Sequence, residues 1–228
     1  MKVSDAIQSR RSVRAFKNTP VPRTTVDQII EIACRAPSSS NVQPWQVYAL
    51  DGEKLKTFCD IACVAHNAIR NDPELAKEYR AGHTTYPTKW ESPYLERRRQ
   101  NGWSLYNLLG IAKGDSNRMH EQHQQNYRFF GAPTGLFFTI DRSLGNGLLV
   151  DHGMFLENVT LLAREFGLET CAIAAWNSFA KLVLEEIGAS EREALVCGIA
   201  IGYPDEQAVV NTLNTPRVPL TEFFKWVD

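Results

Sequence analysis

The sequence predicts an α+β fold, on three observations. Helical and strand-like patterns alternate along the 228 residues. The connections between strands are too irregular for regular βαβ winding. No G-x-G-x-x-G motif follows the first strand pattern, which argues against a doubly wound dinucleotide-binding sheet. The length suits one large domain, and a chain of this size buries most of its apolar surface without disulfides or metal. Residues 1–228 are therefore read as a single domain.

The elements follow in order. Val3, Ala6 and Ile7 mark a short N-terminal helix. In "TTVDQIIEIACRAP" the residues Val26, Ile29, Ile30 and Ala33 recur at i, i+3, i+4 and i+7, which predicts a helix. Thr25 and Gln28 have capping-box spacing, and Pro37 is expected to end the helix. "PWQVYAL" reads as a strand closed by Asp51-Gly52, and Leu55, Phe58, Cys59 and Ala62 mark the next helix. Residues 71–117 lose the periodicity but hold Trp90, Tyr94, Trp103 and Tyr106. A long irregular stretch rich in aromatics reads as a lid, because disordered segments are poor in them.

A short helix is expected near residues 122–130, then a buried strand at "GLFFTI". Residues 148–166 form a helix apolar on more than one face, which implies deep burial or an interface, with Gly167 just past its end. "ETCAIAAW" is a short strand, "FAKLVLEEIG" a helix closed by Gly188, and "ALVCGIAIGY" a strand apolar almost throughout and so central in its sheet. The tail, residues 204–228, ends in "TEFFKWVD", whose apolar groups predict docking, on a second subunit if not on the chain itself.

Composition excludes several functions. With 25 Lys+Arg against 26 Asp+Glu the formal net charge is −1, without the basic excess of a nucleic-acid-binding domain. "MKVSDAIQSR" lacks the apolar core of a secretory signal, and no run reaches the roughly 18 apolar residues of a membrane span. Five irregularly spaced cysteines do not suggest a disulfide framework. A cytoplasmic protein is expected.

Three stretches carry polar chemistry. "RRSVRAF" places Arg10, Arg11 and Arg14 within five residues. The planar guanidinium fork matches phosphate oxygens, and Arg10 and Arg14 would share a face if the first helix continued. A solvated basic turn and a phosphosite at Ser12 are the competing readings. "APSSSNVQPW" gathers Ser38, Ser39, Ser40 and Asn41 between a helix end and a strand start, either as a plain turn or as a ring of hydrogen-bonding groups around a polar cofactor. Arg97-Arg98-Arg99 lies among aromatics, but Glu91 and Glu96 dilute its charge. A lid over an anionic or aromatic small molecule accounts for it more economically than RNA binding.

Cys59, Cys63 and His66 have metal-like spacing without an evident fourth ligand, so core packing is preferred and no metal is expected. His120 and His123 read as solvated. No G-x-S-x-G, H-E-x-x-H or P-loop is present, and no self-sufficient nucleophile is apparent. Catalysis is therefore expected to rest on a cofactor.

"RRSVRAF", "APSSSNVQPWQV", "GLETCAIAAW" and "VCGIAIGYPDEQAVVNTLNTPRVPL", in that order, resemble the FMN-dependent nitroreductase family over nearly the whole chain. The resemblance implies a central antiparallel sheet flanked by helices in an intertwined homodimer with FMN at the interface. It implies that Arg10, Arg11, Ser12 and Arg14 hold the phosphate, ribityl chain and pyrimidine edge, with Arg217 joining the phosphate cluster. Pro37, Ser38, Ser39 and Asn41 would reach the flavin from the partner chain, and Ala174, Ala175 and Trp176 would place backbone groups beside flavin N5. Ala174 stands where many members have Glu, and Thr215 where many have Lys or Ser, which removes one phosphate contact. Residues 71–117 resemble the insertion of lid-bearing members that act on nitroaromatic compounds, making Trp90, Tyr94, Arg97, Trp103 and Tyr106 candidate substrate contacts.

The implied chemistry is ping-pong reduction of bound FMN by NADH or NADPH, then two-electron reduction of a nitroaromatic acceptor to nitroso and hydroxylamine. FMN would carry the chemistry, with no side chain as catalyst. Reductive dehalogenation of a halogenated phenol, for which Lys89, Glu91 and Tyr94 are residues of the right type, and a non-enzymatic flavin-binding module are the alternatives.

Overall fold

The computed structural model describes residues 1–80, 87 and 89–227. Parts of two expectations, the lid at 81–86 and 88 and the last residue of the tail, therefore lie outside the described residues. Four strands, β1 (Gln46–Asp51), β2 (Thr134–Asp141), β3 (Glu169–Ile173) and β4 (Glu193–Gly202), form one sheet in the order β1-β2-β4-β3. Every pairing is antiparallel. β2 and β4 are interior and buried along nearly their whole length, as their continuous apolar runs require.

The two sheet faces support separate cores. On one face α2 (Arg23–Ala33) and α7 (Leu149–Glu165) pack on Leu136, Phe138, Ile199 and Ile201. On the other, α3 (Gly52–Asn71) and α8 (Ala180–Glu186) pack with Phe129, Phe137 and Trp176. The alternation of Leu136, Phe137 and Phe138 between the two clusters follows the period of two along a strand. Gly167, at φ +71, closes α7 as its C′ residue, with the Leu168 N–H reaching the Ala163 carbonyl at 2.9 Å.

Several local expectations are corrected. α1 (Val3–Ser9) stops at Arg10, whose backbone is extended, so Arg10 and Arg14 share no helical face. Pro22 stands at the N-cap of α2 with no side-chain cap, and the capping box is not formed. α2 ends at Ala33, ahead of Pro37, through the turn at Cys34.

Residues 71–117 are not uniformly irregular. They contain α4 (Ala76–Tyr79), α5 (Tyr94–Leu108) and the start of α6 (Ser116–Gln124). α5 buries no residue fully, which is why its sequence shows no apolar stripe. α6 precedes the expected helix near 122–130, and a 3₁₀ segment, Gln125–Gly131, follows it. β3 ends at Ile173, and Ala174–Phe179 is a 3₁₀ segment.

His120 is half-buried and His123 exposed, near the solvated reading, but both also pack on His66. His120 stacks on His66 at 4.1 Å between ring centroids, and His123 Nδ1 lies 3.1 Å from His66 Nε2. Burial, then the neighbouring His120, His123 and Arg70, push His66 down to about 4. No group of three His, Cys, Asp or Glu among the described residues is arranged to hold a metal. Burial likewise pushes His152, between Phe138 and Phe155 on α7, down to about 4.

Two predictions follow from this packing. A Cβ on Gly198 would lie 2.6 Å from Trp176 Cδ1 and 3.3 Å from Phe137 Cε1. The Trp176 ring already contacts Phe58, Tyr127, Phe129 and Phe137 and has no room to retreat. The overpacking, about 1–3 kcal/mol, therefore outweighs the ~0.5–1 kcal/mol that alanine gains over glycine in a strand, and Gly198→Ala is expected to lower the urea midpoint.

For His152, the folded pKa lies below the unfolded one, so the unfolded chain takes up the proton first. Its contribution is complete above pH ~6.5 and is lost as pH falls towards 4, by about 3 kcal/mol. Urea unfolding at several pH values should show this slope, and His152→Phe should reduce it by that amount and leave the part due to His66.

Candidate functional site

Residues 10–17 form an extended strap across the ends of two strands. Ser12 makes a parallel bridge to Thr170 at the start of β3, and the Val13 N–H donates to the Thr170 carbonyl at 3.0 Å. Phe16 bridges Pro204 beyond the end of β4, and the Lys17 N–H donates to the Tyr203 carbonyl at 2.9 Å. Val13 is buried within the strap, and Arg11 is exposed.

Asn211 locks the strap. Its side chain is buried; its oxygen accepts from the Arg14 N–H at 2.7 Å, and its amide donates to the carbonyls of Ala15 at 2.8 Å and Asp205 at 2.9 Å. The sequence reading missed Asn211. The only available signal was a polar residue among the apolar and Pro-flanked positions of "AVVNTLNTP".

The arginines keep donors to spare. Among the described residues Arg11 makes no hydrogen bond, and the Arg14 guanidinium donates only to the Ser12 carbonyl, at 3.2 Å. Arg10 lies 4.0 Å from Glu157, at the limit of an ion pair. Behind the strap, Arg164 at the end of α7 pairs with Glu169 at the start of β3, with side chains 12% and 13% exposed, and also donates to the Ser9 carbonyl. Burial pushes the Glu169 carboxyl up, and Arg164, Arg11 and Arg10 oppose the shift. Burial also raises the Cys171 thiol, against the influence of Arg14, the Ser12 hydroxyl and Arg10. The three arginines of the strap thus share one electrostatic neighbourhood at the start of β3. A cluster of guanidinium donors that its neighbouring acids, Glu157 at 4.0 Å and Glu169 already paired with Arg164, leave largely free suits an oxyanion such as a phosphate.

β3, whose start pairs with the strap at Thr170, leads at its other end into Ala174, Ala175 and Trp176. Trp176 is fully buried, and the Tyr127 hydroxyl reaches the Ala175 carbonyl at 3.5 Å. The rest of the predicted set lies apart. Pro37, Ser38, Ser39 and Asn41 belong to a loop on the α7 side of the sheet, where the Ser39 N–H donates to the buried Asp151 carboxylate at 2.9 Å. No hydrogen bond, ion pair or ring contact among the described residues joins this loop to the strap. Arg217 turns back on the carbonyls of Thr215 and Pro216 and on the Thr215 hydroxyl.

The predicted substrate residues gather on and just before α5. Arg97 lies over Tyr94 at 5.8 Å and pairs with Glu222 of the tail at 3.0 Å. Arg98 lies over Trp90 at 5.5 Å, and Trp103 meets Tyr106 edge to face at 5.9 Å. α5 and the tail line a cavity of about 490 Å³ that contains Arg97 and Arg217. Lys89 and Glu91 pair with each other at 3.7 Å. No helix among the described residues is long and apolar enough to cross a membrane.

The chain is 38% identical over 226 residues to a 4-nitrobenzoate reductase of Nocardioides sp. (strain LMS-CY), covering 97% of this chain and 89% of the relative. It superposes with a TM-score of 0.93 on the crystal structure of an FMN and NADPH-dependent nitroreductase, NfnB, from Sphigopyxis sp. strain HMH, at 38% identity and full coverage of both chains. An iodotyrosine deiodinase of Hydra vulgaris is more distant, 24% identical and matched over 95% of this chain and 70% of its own. Residues 7–203 match the Nitroreductase family, and the chain belongs to it.

Proposed function

We propose that the chain is an NAD(P)H-dependent FMN nitroreductase acting on nitroaromatic compounds in the cytoplasm. The observation that carries this reading is the arginine strap: three guanidinium groups with free donors, pinned beside the strand that enters Ala174–Trp176, in a chain of this family. The donor set fits a flavin mononucleotide, which needs cations at its phosphate and fixed polar groups along the ribityl chain and ring edge.

Arg10 and Arg11 would hold the phosphate together with Arg217, while Ser12 would contact the ribityl chain. Arg14, fixed through its own N–H by Asn211, would lie at the pyrimidine edge and stabilise negative charge there. Ala174 and Ala175 would offer backbone groups to the ring, their position set by the immobile Trp176. The chemistry that FMN supplies when bound is two-electron transfer from a reduced nicotinamide to the nitro group, giving nitroso and then hydroxylamine.

The active unit is proposed as a homodimer in which Pro37, Ser38, Ser39 and Asn41 of one chain complete the site of the other. Their separation from the strap within one chain supports this. α5, with Trp90, Tyr94, Arg97, Trp103 and Tyr106, would cover the acceptor. The tail would dock on the partner, which supplies a reason for Phe223, Trp226 and Val227 being 67%, 83% and 95% exposed in the single chain.

Anaerobic stopped-flow tests the reading. The purified yellow protein should bleach with NADPH or NADH and reoxidise with 4-nitrobenzoate or nitrobenzene. A flavoprotein that neither nucleotide bleaches would be a binding module, and faster reoxidation by a halotyrosine than by any nitroarene would favour dehalogenation. Arg14→Ala should weaken FMN binding about tenfold and slow flavin reduction. Unchanged FMN affinity together with an unchanged reduction rate would remove Arg14 from the site.

A further inference from the structure

One face of α7 fastens the whole connection between α2 and β1. Asp151, Phe155 and Asn158 stand at i, i+4 and i+7, a single stripe about 10 Å long. Asn158 donates to the Ala33 carbonyl at the end of α2 at 3.2 Å. Phe155 stacks on Trp45 just before β1, with centroids 4.7 Å apart and planes 18° from parallel. Between these two anchors lies the serine loop, where Asp151 accepts from the Ser39 N–H at 2.9 Å.

The loop needs an external hold. Ser40, Asn41 and Gln43 have φ of 50°, 57° and 50°, three left-handed residues within four positions, none of them glycine. Such conformations persist only where surrounding contacts over-determine them. Within the loop, the Gln43 N–H donates to Ser38 Oγ at 3.0 Å and the Gln43 amide to the Asn41 carbonyl at 2.9 Å. These bonds shape the loop but do not fix it to the body of the protein. Among the described residues, the bond to Asp151 is the hydrogen bond that does. Asp151 is 4% exposed although its partner loop is largely exposed, and its place in the first turn of α7 favours a carboxylate there.

We infer that Asp151 is a positioning residue for flavin binding: its carboxylate oxygen sets the height and orientation of the Ser38–Asn41 turn that the proposed function presents to FMN. The inference rests on that reading of the serine loop. It assigns a role to the acceptor oxygen, since the donor is a backbone N–H that any residue except proline supplies.

The test measures the FMN dissociation constant of the full-length chain by flavin fluorescence, with the thermal midpoint of the flavin-free protein alongside. Asp151→Leu should raise the constant about tenfold, the scale of one lost hydrogen bond to a charged group. Asp151→Asn, which keeps an acceptor oxygen, should stay within about twofold of wild type. Ser39→Pro deletes the donor at a position whose preceding residue, Ser38, is already extended (φ −144°, ψ 153°), as proline requires. It should match Asp151→Leu, while Ser39→Ala separates out any contribution of the hydroxyl.

An Asp151→Leu protein of lowered thermal midpoint but unchanged FMN affinity would overturn the inference, as would an Asp151→Asn protein as weak as Asp151→Leu. If Asp151→Leu does not fold, Ser39→Pro decides: a wild-type constant overturns the inference and a tenfold rise beyond Ser39→Ala upholds it. Wild-type protein that binds no FMN would instead bring down the proposed function, and with it the positioning role.

Discussion

The carboxamide of Asn211 is the interaction on which the arginine strap depends. An extended segment at the end of a sheet has backbone groups that its strand neighbours cannot all pair, and each one buried without a partner costs about 1–3 kcal/mol. Asn211 satisfies two of them, the Arg14 N–H and the Ala15 carbonyl, and the Asp205 carbonyl beyond β4 as well. It also joins the first twenty residues to the segment after β4, almost two hundred positions away. Because the backbone is satisfied in this way, the arginine side chains brace it only through the bond from Arg14 to the Ser12 carbonyl. Their other donors stay free for a ligand.

Three guanidinium groups within five residues repel one another. Glu169 answers this from behind the strap, and Arg164 holds Glu169 in place while also binding the Ser9 carbonyl where α1 ends. A buried ion pair of this kind adds little net stability but is costly to break on one side. Its effect here is geometric, since it fixes where the helix stops and the extended strap begins. The same pair joins the last turn of α7 to the first residue of β3, so the strap and its strand share one anchor.

The sheet and its core were legible in the sequence because they obey single periodicities. "GLFFTI" and "ALVCGIAIGY" are apolar without interruption and became the two interior strands, and Gly167 and Gly188 took the positive φ that helix ends require. What was not legible depends on partners distant in sequence. A helix continued through Arg14 was a fair expectation from local spacing, yet the backbone bonds to Thr170 and Tyr203 draw that segment out straight. α5 escaped notice because a helix with no fully buried residue leaves no apolar stripe. His120 and His123 read as solvated because nothing local shows that His66, more than fifty residues earlier, lies against them. Of the candidate site, the arginines and the Ala174–Trp176 segment could be read directly, whereas Asn211, Asp151, Arg164 and Glu169, which hold the site in shape, act only through tertiary contacts.

The two halves of the proposed site belong to different cores. Phe16 at the end of the strap, Ala175 and Trp176 pack with α3 and α8, while Ala36 and Trp45, flanking the serine loop, pack with α2 and α7 across the sheet. No hydrogen bond, ion pair or ring contact among the described residues joins the loop to the strap of its own chain. The strap is fixed by Asn211 and the loop by α7, so neither half moves freely towards the other. Two half-sites held apart in this way would meet between chains. On the proposed reading, the rigidity of each half is therefore what makes the second subunit a structural requirement of the flavin site, beyond any stability that association adds.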